Sequence, residues 1–228
     1  MASLDLDRLQ RKLGYQFHDT GLLQQALTHR SAGSRNNERL EFLGDAILGF
    51  EVAENLYRLH PDATEGELSR ARAQLVKRES LAQVARRLDL GRHLVLGAGE
   101  LRSGGQNRDS ILSDAVEALI AAVYIDGGMA AARALVRRLL GEEIDAITPR
   151  QQPKDAKTRL QELLQSRTLP RPAYEVVKVE GEAHDQAFTV ACRVERPPVE
   201  TFGRGTSRRK AEQEAAAAML ERLEGKLK

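Results

Sequence analysis

Residues 37–48, Asn-Glu-Arg-Leu-Glu-Phe-Leu-Gly-Asp-Ala-Ile-Leu, set three carboxylates, Glu38, Glu41 and Asp45, into an otherwise apolar helical pattern. At about 100° per residue these acids share one narrow sector of a helix, while Leu40, Leu43, Ile47 and Phe50 occupy the other side. One face is expected to pack and the other to present oxygens. The arrangement recurs in residues 110–124, where Asp114 and Glu117 share a face opposite Leu112, Val116, Leu119 and Val123. If the two apolar faces meet in one core, four acids converge at its rim, where bare like charges raise one another's pKa. A divalent cation resolves that conflict. Oxygen ligands with no Cys or His beside them suit Mg²⁺, with Mn²⁺ as a substitute, better than zinc. A single acidic pair on a helix is ordinarily a solvated face, but Glu41 and Asp45 have no cation four residues away to make the usual solubilising pair.

The elements that must hold these acids are helices. Apolar residues recur at three-and-four spacing over 20–27, 39–59, 65–88, 111–125 and 129–147. Pro61 and Asp62 end one helix, Thr64 with Glu67 reads as a capping box opening the next, and Gly127-Gly128 separates the last two. Residues 97–108 read as an irregular loop. Its Gly-x-Gly is too short for a dinucleotide fingerprint, so no nucleotide cofactor is expected. The polar, Pro-containing stretch 148–153 reads as a linker between a helical domain, 1–147, and a second domain, 154–228. In that second part 156–167 is helical, 173–179, 187–194 and 199–203 are strand-like, and 207–223 is an Ala-rich helix. The fold class is therefore an all-α domain followed by a small α+β module of order α-β-β-β-α.

Composition excludes several functions. With 228 residues, 41% apolar and 30% charged, the chain resembles ordinary soluble globular proteins. The longest uninterrupted apolar run, 118–125, is too short to span a bilayer and the N-terminus lacks the order of a signal peptide, so a cytoplasmic protein without a membrane partner is expected. Cys192 is the one cysteine, which removes intrachain disulfides and Cys-based zinc sites, and no Glu-x-x-His pair suggests a di-iron bundle. The net charge of +2 hides a division: residues 1–150 carry 20 Lys/Arg against 21 Asp/Glu, and 151–228 carry 15 against 12. Arg204, Arg208, Arg209 and Lys210 concentrate the C-terminal excess, and the last three open a helix whose N-terminal dipole also favours anions. No aromatic residues interleave the patch, so the phosphates of a regular duplex are a better partner than stacked single-stranded bases. In the module's first helix Leu160, Leu163 and Leu164 make the packing stripe and leave Thr158, Gln161 and Gln165 on another face. His184 lies in a hairpin loop.

These residues resemble bacterial ribonuclease III, the double-stranded-RNA-specific endoribonuclease, over nearly the whole chain. Residues 37–48 are similar to the family's signature and 114–126 to its second acidic block, while 181–188 and 208–213 are similar to the double-stranded-RNA-binding domain. The resemblance implies that Glu41, Asp45, Asp114 and Glu117 hold the catalytic metal, with Asp45 and Glu117 acting directly in catalysis, and that Glu38 and Glu65 are auxiliary catalytic acids. It also implies that Thr158, Gln161, Gln165 and the loop around His184 meet the minor groove, and that Arg208, Arg209 and Lys210 contact phosphates. The family is dimeric. Phe42 projects about 40° from Glu38 on the acidic side of its helix, and the matching aromatic in the family inserts into the partner subunit. The implied reaction is Mg²⁺-dependent hydrolysis of double-stranded RNA leaving 5′-phosphates and short 3′ overhangs, in the processing of ribosomal RNA precursors and other structured transcripts, including messenger RNA. Two acids depart from the domain's usual pattern, Glu182 and Glu212, and both would repel phosphate. A binding-only relative and a helical scaffold are the competing readings. The first could have lost any of the four acids, yet all are present, and the second has no use for the C-terminal module.

Overall fold

A computed structural model describes residues 2–151, 155–181 and 186–225. The chain divides into two compact units, Met1–Gln152 and Pro153–Lys228.

In the first unit α1 (Ala2–Leu13), α2 (Thr20–Ala26), α3 (Glu38–Leu59), α4 (Glu65–Val76), α5 (Arg78–Arg87), the short α6 (Ala98–Arg102) and α7 (Asp109–Ala146) surround one core. Asp19 caps α2 by accepting from the Gly21 N–H, and Thr64 with Glu67 forms the expected capping box on α4. The helical run 65–88 is broken at Lys77, whose ψ of 154° turns the chain between α4 and α5. The loop 97–108 contains α6 and a 3₁₀ turn at Gly105–Asn107. Gly128, at φ 77° and ψ −179°, is non-helical inside α7, so α7 is two helical segments meeting across a kink, with the break where Gly127-Gly128 placed it.

Helix α7 is long and apolar enough to cross a membrane, but its apolar residues, among them Leu112, Val116, Leu119, Val123 and Leu140, are buried in the core of this unit. Its principal neighbour is α3. The buried face of α3 is Leu40, Gly44, Ile47, Leu48, Glu51, Val52 and Leu56. Phe50, expected with the packing stripe, is 53% exposed instead. The reason is Gly44: a Cβ there would lie 1.8 Å from the Glu117 carbonyl oxygen. The glycine backbone, in contact with α7, sets the rotation of α3 and turns Phe50 outward. Farther along, the fully buried Glu51 is matched by Arg133, whose Nε and Nη2 donate to it at 2.9 and 3.2 Å, as a buried charge requires.

Part of the expected linker belongs to the first unit. Pro149–Gln151 forms a 3₁₀ turn, and Arg150 Nη2 donates to the Asp62 carbonyl at 3.2 Å.

The second unit has the order α8 (Ala156–Ser166), β1 (Ala173–Glu180), β2 (Ala187–Val194), β3 (Val199–Gly205), α9 (Arg208–Gly225). Its sheet is antiparallel in the order β1-β2-β3. Leu160, Leu164, Cys192, Val194, Met219 and Leu223 form its core. A Cβ at Gly203 would lie 2.1 Å from the Ala215 nitrogen, so glycine lets β3 approach α9 closely.

Candidate active site and RNA-binding surface

Because Gly44 brings α3 against α7 at Glu117, the acidic sectors of the two helices meet. Oxygens of Glu41, Asp114 and Glu117 all lie within 4.8 Å of one another, and all three residues are half-buried. Asp45 is exposed at the edge, outside that set of three, and still close enough for its charge to act on Glu41 and Glu117. Burial, then the charges of Asp45, Asp114 and Glu41, push the Glu117 carboxyl up to about 8. Glu41 is raised by burial and by Asp114 and Glu38. Asp114 is raised by burial, against the Ser113 hydroxyl and the nearby basic side chains of Arg78, His29 and Arg30. Stacked acids with so little internal neutralisation form a place for a cation: the donors are all hard oxygens, and a divalent ion would remove the repulsion that lifts Glu117.

Glu38 and Glu65 stand apart from this cluster. Glu38 is exposed, 3.5 Å from Arg30, and its charge reaches Glu41. Glu65 is exposed at the start of α4, where it accepts from the Ser69 hydroxyl at 2.7 Å and lines an open groove of about 550 Å³ with Ala53, Leu56, Tyr57, Leu68 and Arg72. Phe42 is 81% exposed.

In the second unit the starts of α8 and α9 flank an open groove of about 610 Å³ lined by Lys157, Thr158, Gln161, Arg208 and Arg209, among others. Gln161, Gln165, Arg208, Arg209 and Lys210 are exposed. Thr158 is partly engaged in capping: its N–H and hydroxyl both donate to Asp155, at 2.9 and 3.1 Å. His184 and Glu182 lie outside the described residues. Glu212 is not a free acid facing phosphate, because it accepts from Lys157 Nζ at 2.6 Å and from Arg208 Nε at 2.9 Å, which hold its pKa down against burial.

Sequence reasoning missed Lys157, which also lies 4.5 Å over the Tyr174 ring, and the basic residues His29, Arg30 and Arg78 around the acids. Sequence reasoning also assigned Gly44 no role, although a glycine inside a strongly helical run is a signal for a close approach.

Comparison with known proteins decides the family. Residues 19–144 match the model of ribonuclease-III-like domains, and residues 156–223 match the double-stranded RNA binding motif. The chain is 56% identical to Ribonuclease 3 of Histophilus somni over 220 residues, which cover 96% of this chain and 99% of that protein. The chain belongs to the ribonuclease III family. Ribonuclease 3 of Vibrio campbellii is 55% identical over 218 residues, 96% of this chain and 97% of the other. The solved nuclease domain of ribonuclease III from Campylobacter jejuni superposes with a TM-score of 0.59 at 43% identity, covering 60% of this chain and 96% of that one. As a ribonuclease III with a nuclease domain and a double-stranded-RNA-binding domain, the protein is an endoribonuclease that cleaves double-stranded RNA.

Proposed function

We propose that this endoribonuclease hydrolyses its duplex at the cluster formed by Glu41, Asp45, Asp114 and Glu117, with Mg²⁺ as its cation and Mn²⁺ able to replace it. The observation that carries this is the convergence of three carboxylates within 4.8 Å and the lift of Glu117 to about 8. The cation supplies Lewis acidity toward water and the scissile phosphate. The residues supply the rest. Glu41 and Asp114, from two helices, fix the position of positive charge; Glu117, the most enclosed in its electrostatics, holds its proton until a cation arrives; Asp45 and Glu38 keep the mouth negative enough to draw the cation from solvent. Products carry 5′-phosphates and short 3′ overhangs. Incubating a perfect RNA duplex with the purified protein, with and without Mg²⁺, and with Glu117→Gln in parallel tests the assignment. Cleavage is expected only in the wild type with the cation.

The working form is a homodimer. Phe42, Phe50 and Tyr57 project from α3 at 81%, 53% and 73% exposure, an apolar stripe that asks for cover. In an isologous pair with α3 helices antiparallel, Phe42 of one copy would enter the groove bordered by Ala53, Leu56 and Tyr57 of the other. Two copies then give two acid clusters, one for each RNA strand. A region involved in dimer formation is named for the Campylobacter jejuni nuclease domain. Sedimentation should show a dimer at micromolar concentration, and Phe42→Ala should weaken it.

Gln161, Gln165 and, in part, Thr158 face the minor groove of A-form RNA with the loop around His184, while Arg208, Arg209 and Lys210 take phosphates. Replacing Arg208 and Arg209 with Ala should weaken binding to all duplexes alike and flatten log affinity against log salt by about one to two units. The cellular role that fits is maturation of ribosomal RNA precursors and other structured transcripts, messenger RNA included, in the cytoplasm.

A further inference from the structure

The acid cluster attracts a cation, but an RNA strand arriving there is itself an anion. Positive charge is brought to the same mouth by the turn that follows α2. Arg30 acts on both Glu41 and Asp114, which belong to different helices. Its contact with Glu38 is long, 3.5 Å, and its side chain is 70% exposed, leaving N–H donors toward solvent. His29 is near enough to act on Asp114 as well.

This turn is pinned rather than loose. The His29 N–H donates to the Val95 carbonyl at 3.0 Å, and the Ala32 N–H donates to the His29 carbonyl at 2.9 Å. Ser31 N–H donates to His29 Nδ1 at 3.2 Å, and the Ser31 hydroxyl lies 2.8 Å from the same nitrogen. Since Nδ1 accepts, the proton of the neutral ring is on Nε2. Ser31 Oγ in turn accepts from the Gly97 N–H at 2.9 Å, and a Cβ at Gly97 would lie 2.3 Å from the Ser31 carbonyl oxygen. The two loops therefore close only because position 97 is glycine. A ring tied down at one nitrogen and carrying its N–H on the other is a pre-organised donor.

We propose that His29 Nε2–H and the Arg30 guanidinium form a phosphate-binding lip of the acidic cleft, holding the backbone phosphate next to the scissile one on the cut strand. This rests on the acid cluster being the cleavage site. The lip sets the position of the strand rather than overall affinity, which the second domain supplies over many phosphates.

The test is single-turnover cleavage of a short duplex by the full-length protein at saturating enzyme and Mg²⁺, with duplex affinity measured separately in Ca²⁺. Arg30→Ala and His29→Asn should each slow cleavage roughly 10- to 100-fold with affinity changed less than about twofold. Asn keeps an acceptor near Nδ1 and lacks the outer donor, whereas His29→Gln places an amide N–H near Nε2 and should recover part of the loss. The decisive measurement replaces each flanking phosphate in turn by a neutral methylphosphonate, with a 2′-deoxy sugar at that nucleotide in both the neutral and the charged substrate. At one flanking position wild type should slow as Arg30→Ala does, and Arg30→Ala should slow no further. Independent, multiplicative losses at both positions overturn the proposal, as does an undiminished rate in Arg30→Ala. Glu117→Gln keeps the two readings distinct: if it cleaves normally, the cleavage site itself is misassigned, whereas if it is inactive while the lip variants are normal, only the lip is wrong.

Discussion

Two carboxylates on α7, Glu117 and Asp126, are nine residues apart, roughly 14 Å along the helix, and their surroundings push them in opposite directions. Glu117 is enclosed and ringed by acids, and its carboxyl rises to about 8. Asp126, with a side chain only 3% exposed, accepts from the Tyr15 hydroxyl at 2.7 Å and from the His18 and Asp19 backbone N–H groups at 2.8 and 2.9 Å. Burial alone would raise it, yet these donors bring it down to about 2. Burial raises an acid unless donors answer it, so the two acids are told apart by who faces them. Asp126 ties the segment before α2 to α7 and is complete as it stands; Glu117 is incomplete and invites a ligand.

Exchanging the carboxylate at each place should separate these roles. Glu117→Gln is expected to keep the fold and duplex binding while cleavage falls by roughly a thousandfold or more; near-normal cleavage at saturating Mg²⁺ would show that Glu117 is not part of the site. Asp126→Ala should do the reverse. Leaving the Tyr15, His18 and Asp19 donors without their acceptor should cost about 2–4 kcal/mol in chemical denaturation, with cleavage per folded molecule within about twofold of wild type. A larger loss of cleavage than of stability would move Asp126 into the site.

Gly44→Ala probes how the acids are brought together. Its Cβ would meet Glu117's backbone carbonyl, which can yield only if α3 and α7 part. We expect about 1–3 kcal/mol of destabilisation and weaker Mg²⁺ binding, read by the Mg²⁺ concentration needed for half-maximal cleavage. Unchanged Mg²⁺ dependence would mean that the spacing of the two helices does not control the site.

The smallest effect is in pH. Glu117 has a folded value, about 8, above its ordinary 4.5, so the folded state holds the proton longer, and the cation-free protein should lose stability as pH rises from about 4.5 to 8. With Glu117 half-exposed to screening solvent, the change should be roughly 1–2 kcal/mol. Asp126 runs the other way: its folded value, about 2, lies below its ordinary 3.8, so the stability it gives is present at neutral pH and lost as pH falls from about 4 toward 2. Denaturation of the Mg²⁺-free protein between pH 5 and 8.5 checks the first slope, which Glu117→Gln should flatten and added Mg²⁺ should reduce. A slope that survives Glu117→Gln would assign it to another group.

Much of this was legible from local pattern. Helical periodicity and the capping box at Thr64 and Glu67 depend on near neighbours, and so do the alternation of β1 to β3 and the facing acids in two segments. The family's motifs are likewise written in contiguous residues. The break at Lys77 was invisible because the apolar spacing continues across it, and Phe50 was misplaced because periodicity gives a helix a face without saying which neighbour sets its rotation. The sequence by itself determined which residues could supply oxygens, which could supply positive charge and which segments would be helix or strand. Only the tertiary structure decided that Gly44 against Glu117 brings three of the acids within one cation's reach, that Asp126 is satisfied while Glu117 is not, and that Glu212 is neutralised by Lys157 and Arg208. The reason is physical: the charge state of a carboxylate is set by groups within a few ångströms, and those groups are brought there by the packing of segments as distant in sequence as residues 15 and 126.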